Sequence, residues 1–80
     1  MILKPEKYTK LEVSVLAVVA EILRIARGGI IRYDELLRRV LEKKGQEAKE
    51  NFLPSLNFLF LLGKVKYYKE EDILEFKNEN

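Results

Sequence analysis

Phe52-Leu-Pro-Ser-Leu-Asn-Phe-Leu-Phe-Leu-Leu-Gly-Lys-Val65 is the stretch on which the fold turns. From Phe52 to Leu62 only Pro54, Ser55 and Asn57 are not large apolar residues, and Gly63 stops the run. At about 100° per residue, Phe52, Leu53, Leu56, Leu59 and Phe60 gather on one helical face. Phe58, Leu61 and Leu62 fall on the opposite side. A helix that is apolar nearly all round is either fully buried or meets a partner on its second face. A chain of 80 residues cannot easily surround it, so the pattern points to a partner.

Pro54 is tolerable only in a first helical turn, which places the regular start of this helix near Asn51. Downstream, Val65–Tyr68 and Ile73–Phe76 read as two short strands joined by a turn at Lys69-Glu-Glu-Asp72. Val65, Tyr67, Leu74 and Phe76 form their inward face. Upstream, Asp34 is the expected cap of a second helix whose apolar side is Leu36, Leu37, Val40 and Leu41. Arg38, Arg39, Glu42 and Lys43 point to solvent, Lys43 and Lys44 suit the negative end of the helix dipole, and Gly45 ends the helix. Ile30-Ile31-Arg32 before it is a β-prone stub.

The first helix opens at Thr9, with Glu12 completing a capping box, and runs to about Arg27, where Gly28-Gly29 supplies a left-handed stop. Its inward stripe is Leu11, Val15, Val18, Val19, Ile22, Ile25 and Ala26. Val13, Ala17, Ala20, Glu21 and Arg24 face the other way, a flat strip that another helix could approach closely. Residues 1–8 read as an N-terminal arm, extended before Pro5, and 77–80 as a loose tail. Helix, stub strand, helix, helix and hairpin is the order of a winged helix: one domain, α+β and mostly helical.

Composition narrows the function. No cysteine is present, so no disulfide contributes, and the absence of histidine removes the commonest general base and metal ligand. No catalytic, cofactor or metal site is read: Glu70, Glu71 and Asp72 make a charged turn lacking the inward geometry of a metal site. A net charge of +2 is too small to imply nucleic acid. Its distribution is uneven, since residues 1–46 carry ten Lys/Arg against six Asp/Glu and residues 47–80 five against seven. Abundant Lys and Glu with one Gln would suit a thermophile. Glu12, Glu21 and Arg24 interrupt the first helix too often for a membrane span. A signal-peptide reading, with Val13–Ala20 as its apolar region, is countered by Glu12 and by the helical pattern continuing past Ala20. A cytoplasmic location is expected.

In a winged helix the third helix would read the major groove. Here it offers no arginine, and Glu47 and Glu50 near its start would repel phosphate. Arg32, Arg38, Arg39, Lys43 and Lys44 are the candidate nucleic-acid contacts on an unconventional face, weighed against a merely solvated helix surface. The candidate protein interface is Phe58, Leu61 and Leu62 with Val13, Ala17 and Ala20. Ile2-Leu3 or the hairpin covering Phe58 and its neighbours within one chain is the alternative.

Met1-Ile-Leu-x-Pro5, Ser14-Val-Leu16 opening an Ala/Val-rich helix, and the Phe52–Val65 stretch together resemble the small middle components of ABC-three component systems. These are prokaryotic conflict or antiviral loci that pair an SMC- or Rad50-like ABC ATPase with an effector. The resemblance implies a non-enzymatic adaptor between them, with protein partners, no cofactor and no small-molecule substrate. In plan the chain is also similar to winged-helix accessory subunits of bacterial condensins, which bind an ATPase linker or neck. A homodimeric winged helix–turn–helix transcription regulator is the rival expectation.

Overall fold

The computed structural model describes residues 10–77, with side chains from Ser14 onward. The expected arm at 1–8, the Thr9 cap, the end of the tail at 78–80, and the side chains of Leu11, Glu12 and Val13 lie outside the described residues.

Three helices and a three-stranded sheet follow in the expected order: α1 (Lys10–Ala26), β1 (Ile30–Arg32), α2 (Tyr33–Lys44), α3 (Lys49–Leu61), β2 (Val65–Tyr68) and β3 (Ile73–Phe76). A single 3₁₀ turn, Gln46–Ala48, leads into α3. The sheet is antiparallel in the order β1-β3-β2, with Ile31 opposite Leu74 and Val65 opposite Phe76. Backbone bonds at its ends extend the ladder. The Phe76 N–H donates to the Gly29 carbonyl at 2.9 Å and the Lys77 N–H to the Lys64 carbonyl at 2.9 Å.

Each helix stops for a local reason. Arg27 (φ 51°) and Gly28 (φ 73°) take the chain out of α1 through two left-handed residues, one position earlier than the glycine pair alone implies. After α3 the Lys64 N–H reaches back to the Leu59 carbonyl and the Gly63 N–H to the Phe60 carbonyl, at 3.0 and 2.9 Å. That pairing requires a left-handed residue at Gly63 (φ 73°), the role glycine fills without a Cβ clash.

The core lies between the helices and the inner face of the sheet. Val18, Val19 and Ile22 from α1 meet Leu36 and Val40 from α2, and Phe52, Leu56 and Leu59 from α3. Val65, Leu74 and Phe76 close it from below. Tyr33, at the start of α2, sets its ring edge-on to Phe52, with 5.5 Å between centroids, and so ties the sheet side to α3.

Several expectations need correction. Asp34 is not the α2 cap: Arg32 occupies that position with no side-chain bond, and Asp34 lies in the first turn. The orphan Tyr33 N–H donates instead to the Asp72 carbonyl in the hairpin turn, at 3.0 Å, so the sheet partner does the work of a cap. α3 begins at Lys49, two residues before Asn51, which leaves Pro54 inside the helix. Pro54 is on the exposed side, where water can reach the Glu50 carbonyl that its missing N–H leaves unpaired. Leu37 and Leu41 are half-buried flanks of the core, with Leu36 and Val40 at its centre. Tyr67 is exposed on β2, because its ring sits at the sheet margin against Tyr33 and its hydroxyl donates to Asp72 at 2.6 Å.

The largest correction concerns the rotation of α3. Leu53 and Phe60 are exposed, whereas Ser55 is completely buried. The Ser55 hydroxyl lies 3.1 Å from the Val15 carbonyl of α1 and 2.6 Å from the Asn51 carbonyl, so its one proton is placed between two acceptors. A larger side chain at 55 would push the helices apart. The close approach therefore turns Ser55, Phe52, Leu56 and Leu59 inward, and carries Leu53 and Phe60 past the edge of the buried face.

Candidate functional site

α3 runs beside α1 in the same direction. Ser55 bonds near Val15, and further along the pair Val19 and Leu23 line one groove with Phe58, Leu59 and Leu62. Turning Ser55 inward leaves the outer half of α3 to Leu53, Pro54, Asn57, Phe58, Phe60, Leu61 and Leu62. Only Asn57 in that set is polar. Leu61 is 86% exposed and Leu62 53%.

α1 contributes a second apolar ridge. Leu16, Ala20 and Leu23, at i, i+4 and i+7, are all exposed on one stripe. Between Leu23 of this ridge and Phe58 and Leu62 lies an open groove of about 400 Å³, floored by Val19 and Leu59. Lys64 and Lys77 stand at the end nearest the hairpin. The lining of this surface is hydrocarbon apart from those two lysines. What it can do chemically is bury apolar area against another surface, and large contiguous patches of this kind mark interaction sites.

The structure brings together some of the anticipated interface residues and separates others. Phe58 and Leu62 line the groove, and Leu61 is exposed on α3 outside its lining. Ala20 joins the adjoining α1 ridge. Ala17 does not, since it faces a different cleft with Ser14, Lys44, Glu47 and Asn51. The Val13 side chain lies outside the described residues. Leu16, Leu23, Leu53 and Phe60 are surface residues that sequence reasoning missed or placed inside. The detectable signal was Ser55, the one small residue in the apolar run and hence the mark of a close helix contact.

The strip expected along Glu21 and Arg24 is also different. Glu21 is 5% exposed and lies between α1 and α2, beside Arg39, Glu42 and Lys43. The Arg24 guanidinium donates to its carboxylate and holds it below the usual carboxylate range against the opposing effect of burial, with Lys43 and Lys44 adding a smaller pull. No buried side-chain polar atom lacks a partner among the described residues.

The candidate nucleic-acid contacts are largely neutralised within the chain. Arg38 pairs with Glu35 and Glu42, both at 2.7 Å, and Arg39 with Glu35 at 2.8 Å. Those two arginines depress the Glu35 carboxylate. Arg32 lies 3.6 Å from Asp34. Lys43 and Lys44 remain as exposed cations at the end of α2. Two lysines release few counterions, and α3 presents no cation from Phe52 to Leu62.

No helix of the described residues is long and apolar enough to cross a membrane. No curated protein and no solved structure matches the chain. One family model does, that of the ABC-three component (ABC-3C) system Middle Component 8, over residues 29–77. The match runs from the end of α1 through the hairpin, so it includes the α3 side of the groove and leaves out the α1 ridge. It spans more than half of the sequence, and the chain belongs to this family of ABC-three component system middle components.

Proposed function

We propose that this protein is a non-enzymatic adaptor of its ABC-three component system, holding an SMC- or Rad50-like ABC ATPase and an effector together through the apolar face of α3. Membership of the family supports an accessory role alongside protein partners. The observation that carries the reading is the outer half of α3, where Phe58, Leu61 and Leu62 are exposed and Phe58 and Leu62 share a groove with Leu23 of α1. In a winged helix, which the element order suggests, this is the helix that would enter DNA. Here it carries hydrocarbon where phosphate and base contacts need cations and amides. Aromatic and aliphatic anchors of this kind commonly dominate protein interfaces, at roughly 2 kcal/mol or more each on truncation. Assembly in the cytoplasm is part of the proposal.

The test is co-expression of the tagged protein with the other components of its system, comparing the parent with F58D/L61K. The parent should retain a partner through affinity and size-exclusion steps. The double variant should keep its helical circular dichroism and lose the partner. Unfolding of the variant would mean that Phe58 and Leu61 are covered within the chain. A folded variant that still assembles normally would rule out this surface.

A further inference from the structure

The groove between α1 and α3 is electrically lopsided. Its walls are uncharged along Val19, Leu23, Phe58, Leu59 and Leu62, and both of its charged residues, Lys64 and Lys77, stand at one end. Lys77 is exposed, and its backbone N–H bond to Lys64 holds the two lysines side by side. Arg27 follows Leu23 by one turn at the same end of α1, also exposed.

We infer that the groove receives an amphipathic helix of another component, laid along it with apolar residues at i, i+4 and i+7 and with one or two carboxylates in the turn that meets Lys77. This rests on the docking reading above and specifies what docks. A helix fits because the groove runs between two helices lying side by side, with Leu23 on one side and Phe58 and Leu62, one turn apart, on the other. A groove of that kind accepts a third helix. An acidic end fits because a desolvating contact beside Lys77 would otherwise leave its ammonium unpaired, whereas a carboxylate there adds attraction and sets the direction of the docked helix.

Two measurements on the complex with the co-expressed components test this. In the first, p-benzoylphenylalanine replaces Leu23 and the photo-crosslinked peptides are mapped. The expected crosslinks fall on another component, at positions three or four residues apart, with Asp or Glu within one turn. Crosslinks to an extended segment, to a segment lacking carboxylates, to a second copy of this chain or to its own residues 1–9 or 78–80 would overturn the inference. In the second, K77E should weaken the complex several-fold at low salt and flatten its dependence on ionic strength. If F58D/L61K abolishes assembly while K77E changes neither affinity nor salt dependence, the docking surface stands and the acidic helix does not. If neither variant has an effect, both readings fail.

Discussion

Ser55 decides the rotation of α3, and that choice separates core from surface residue by residue. Leu59→Ala should cost about 2–5 kcal/mol, because it empties a fully enclosed site, whereas Leu53→Ala should fall within about 0.5 kcal/mol of the parent. Equal losses in urea denaturation would mean the helix is rotated differently. Ser55→Leu should destabilise by roughly 1–3 kcal/mol by forcing α1 away. Glu21 gives a second residue-scale prediction. Its carboxyl, like that of Glu35, sits below the ordinary value of 4.5 in the folded chain, chiefly through hydrogen bonds from arginine. Depressed carboxylates stabilise the fold above that value, and the contribution is lost as pH falls below about 4.5 and through the folded values. Melting temperature should therefore drop in that acid window. The drop should be shallower in E21Q, which lacks the titrating group and starts less stable at neutral pH. An identical pH profile for the two proteins would contradict the assignment. The burial of Glu21 was not legible in the sequence, and the outward turn of Leu53 and Phe60 was signalled only by Ser55. A run apolar on every side gives no contrast from which to read rotational phase, and a glutamate flanked by alanine and isoleucine looks solvated until α2 is placed against it.

At the scale of elements, the sequence was more informative, because boundaries are set by local chemistry. Gly28, Gly45 and Gly63 each take a positive φ where a helix ends, and Val65–Tyr68 and Ile73–Phe76 form the expected hairpin, with Val65 opposite Phe76 and Tyr67 opposite Leu74. What it could not reveal is that β1 pairs with β3 and that α2 begins on the hairpin's Asp72 carbonyl, since both are long-range bonds. The two ridges of the groove belong to different elements, which yields a further prediction. Leu16→Asp with Leu23→Lys on α1 should weaken assembly as F58D/L61K does on α3, with little change in melting temperature, because all four side chains are exposed. Assembly by gel filtration that tolerates the α1 pair while failing with the α3 pair would confine the surface to α3 alone.

At the scale of the whole molecule, charge and apolar area point to opposite kinds of partner, and area prevails. Both arginines on α2 are paired with glutamates one turn away, each such exposed pair contributing little to stability while removing a cation from solution. Duplex DNA should therefore be held weakly, without sequence preference, and released by physiological salt in an anisotropy titration. Nanomolar discrimination between a defined duplex and its scrambled counterpart would favour the regulator reading instead. The adaptor account stands or falls on where a partner sits. Hydrogen exchange on the complex with the co-expressed components, against the protein alone, locates it most directly. The account predicts slowed exchange concentrated in 16–23 and 58–64, with α2 little changed. Protection confined to α2 and the hairpin turn, with the α1 and α3 amides exchanging as in the free protein, would contradict it.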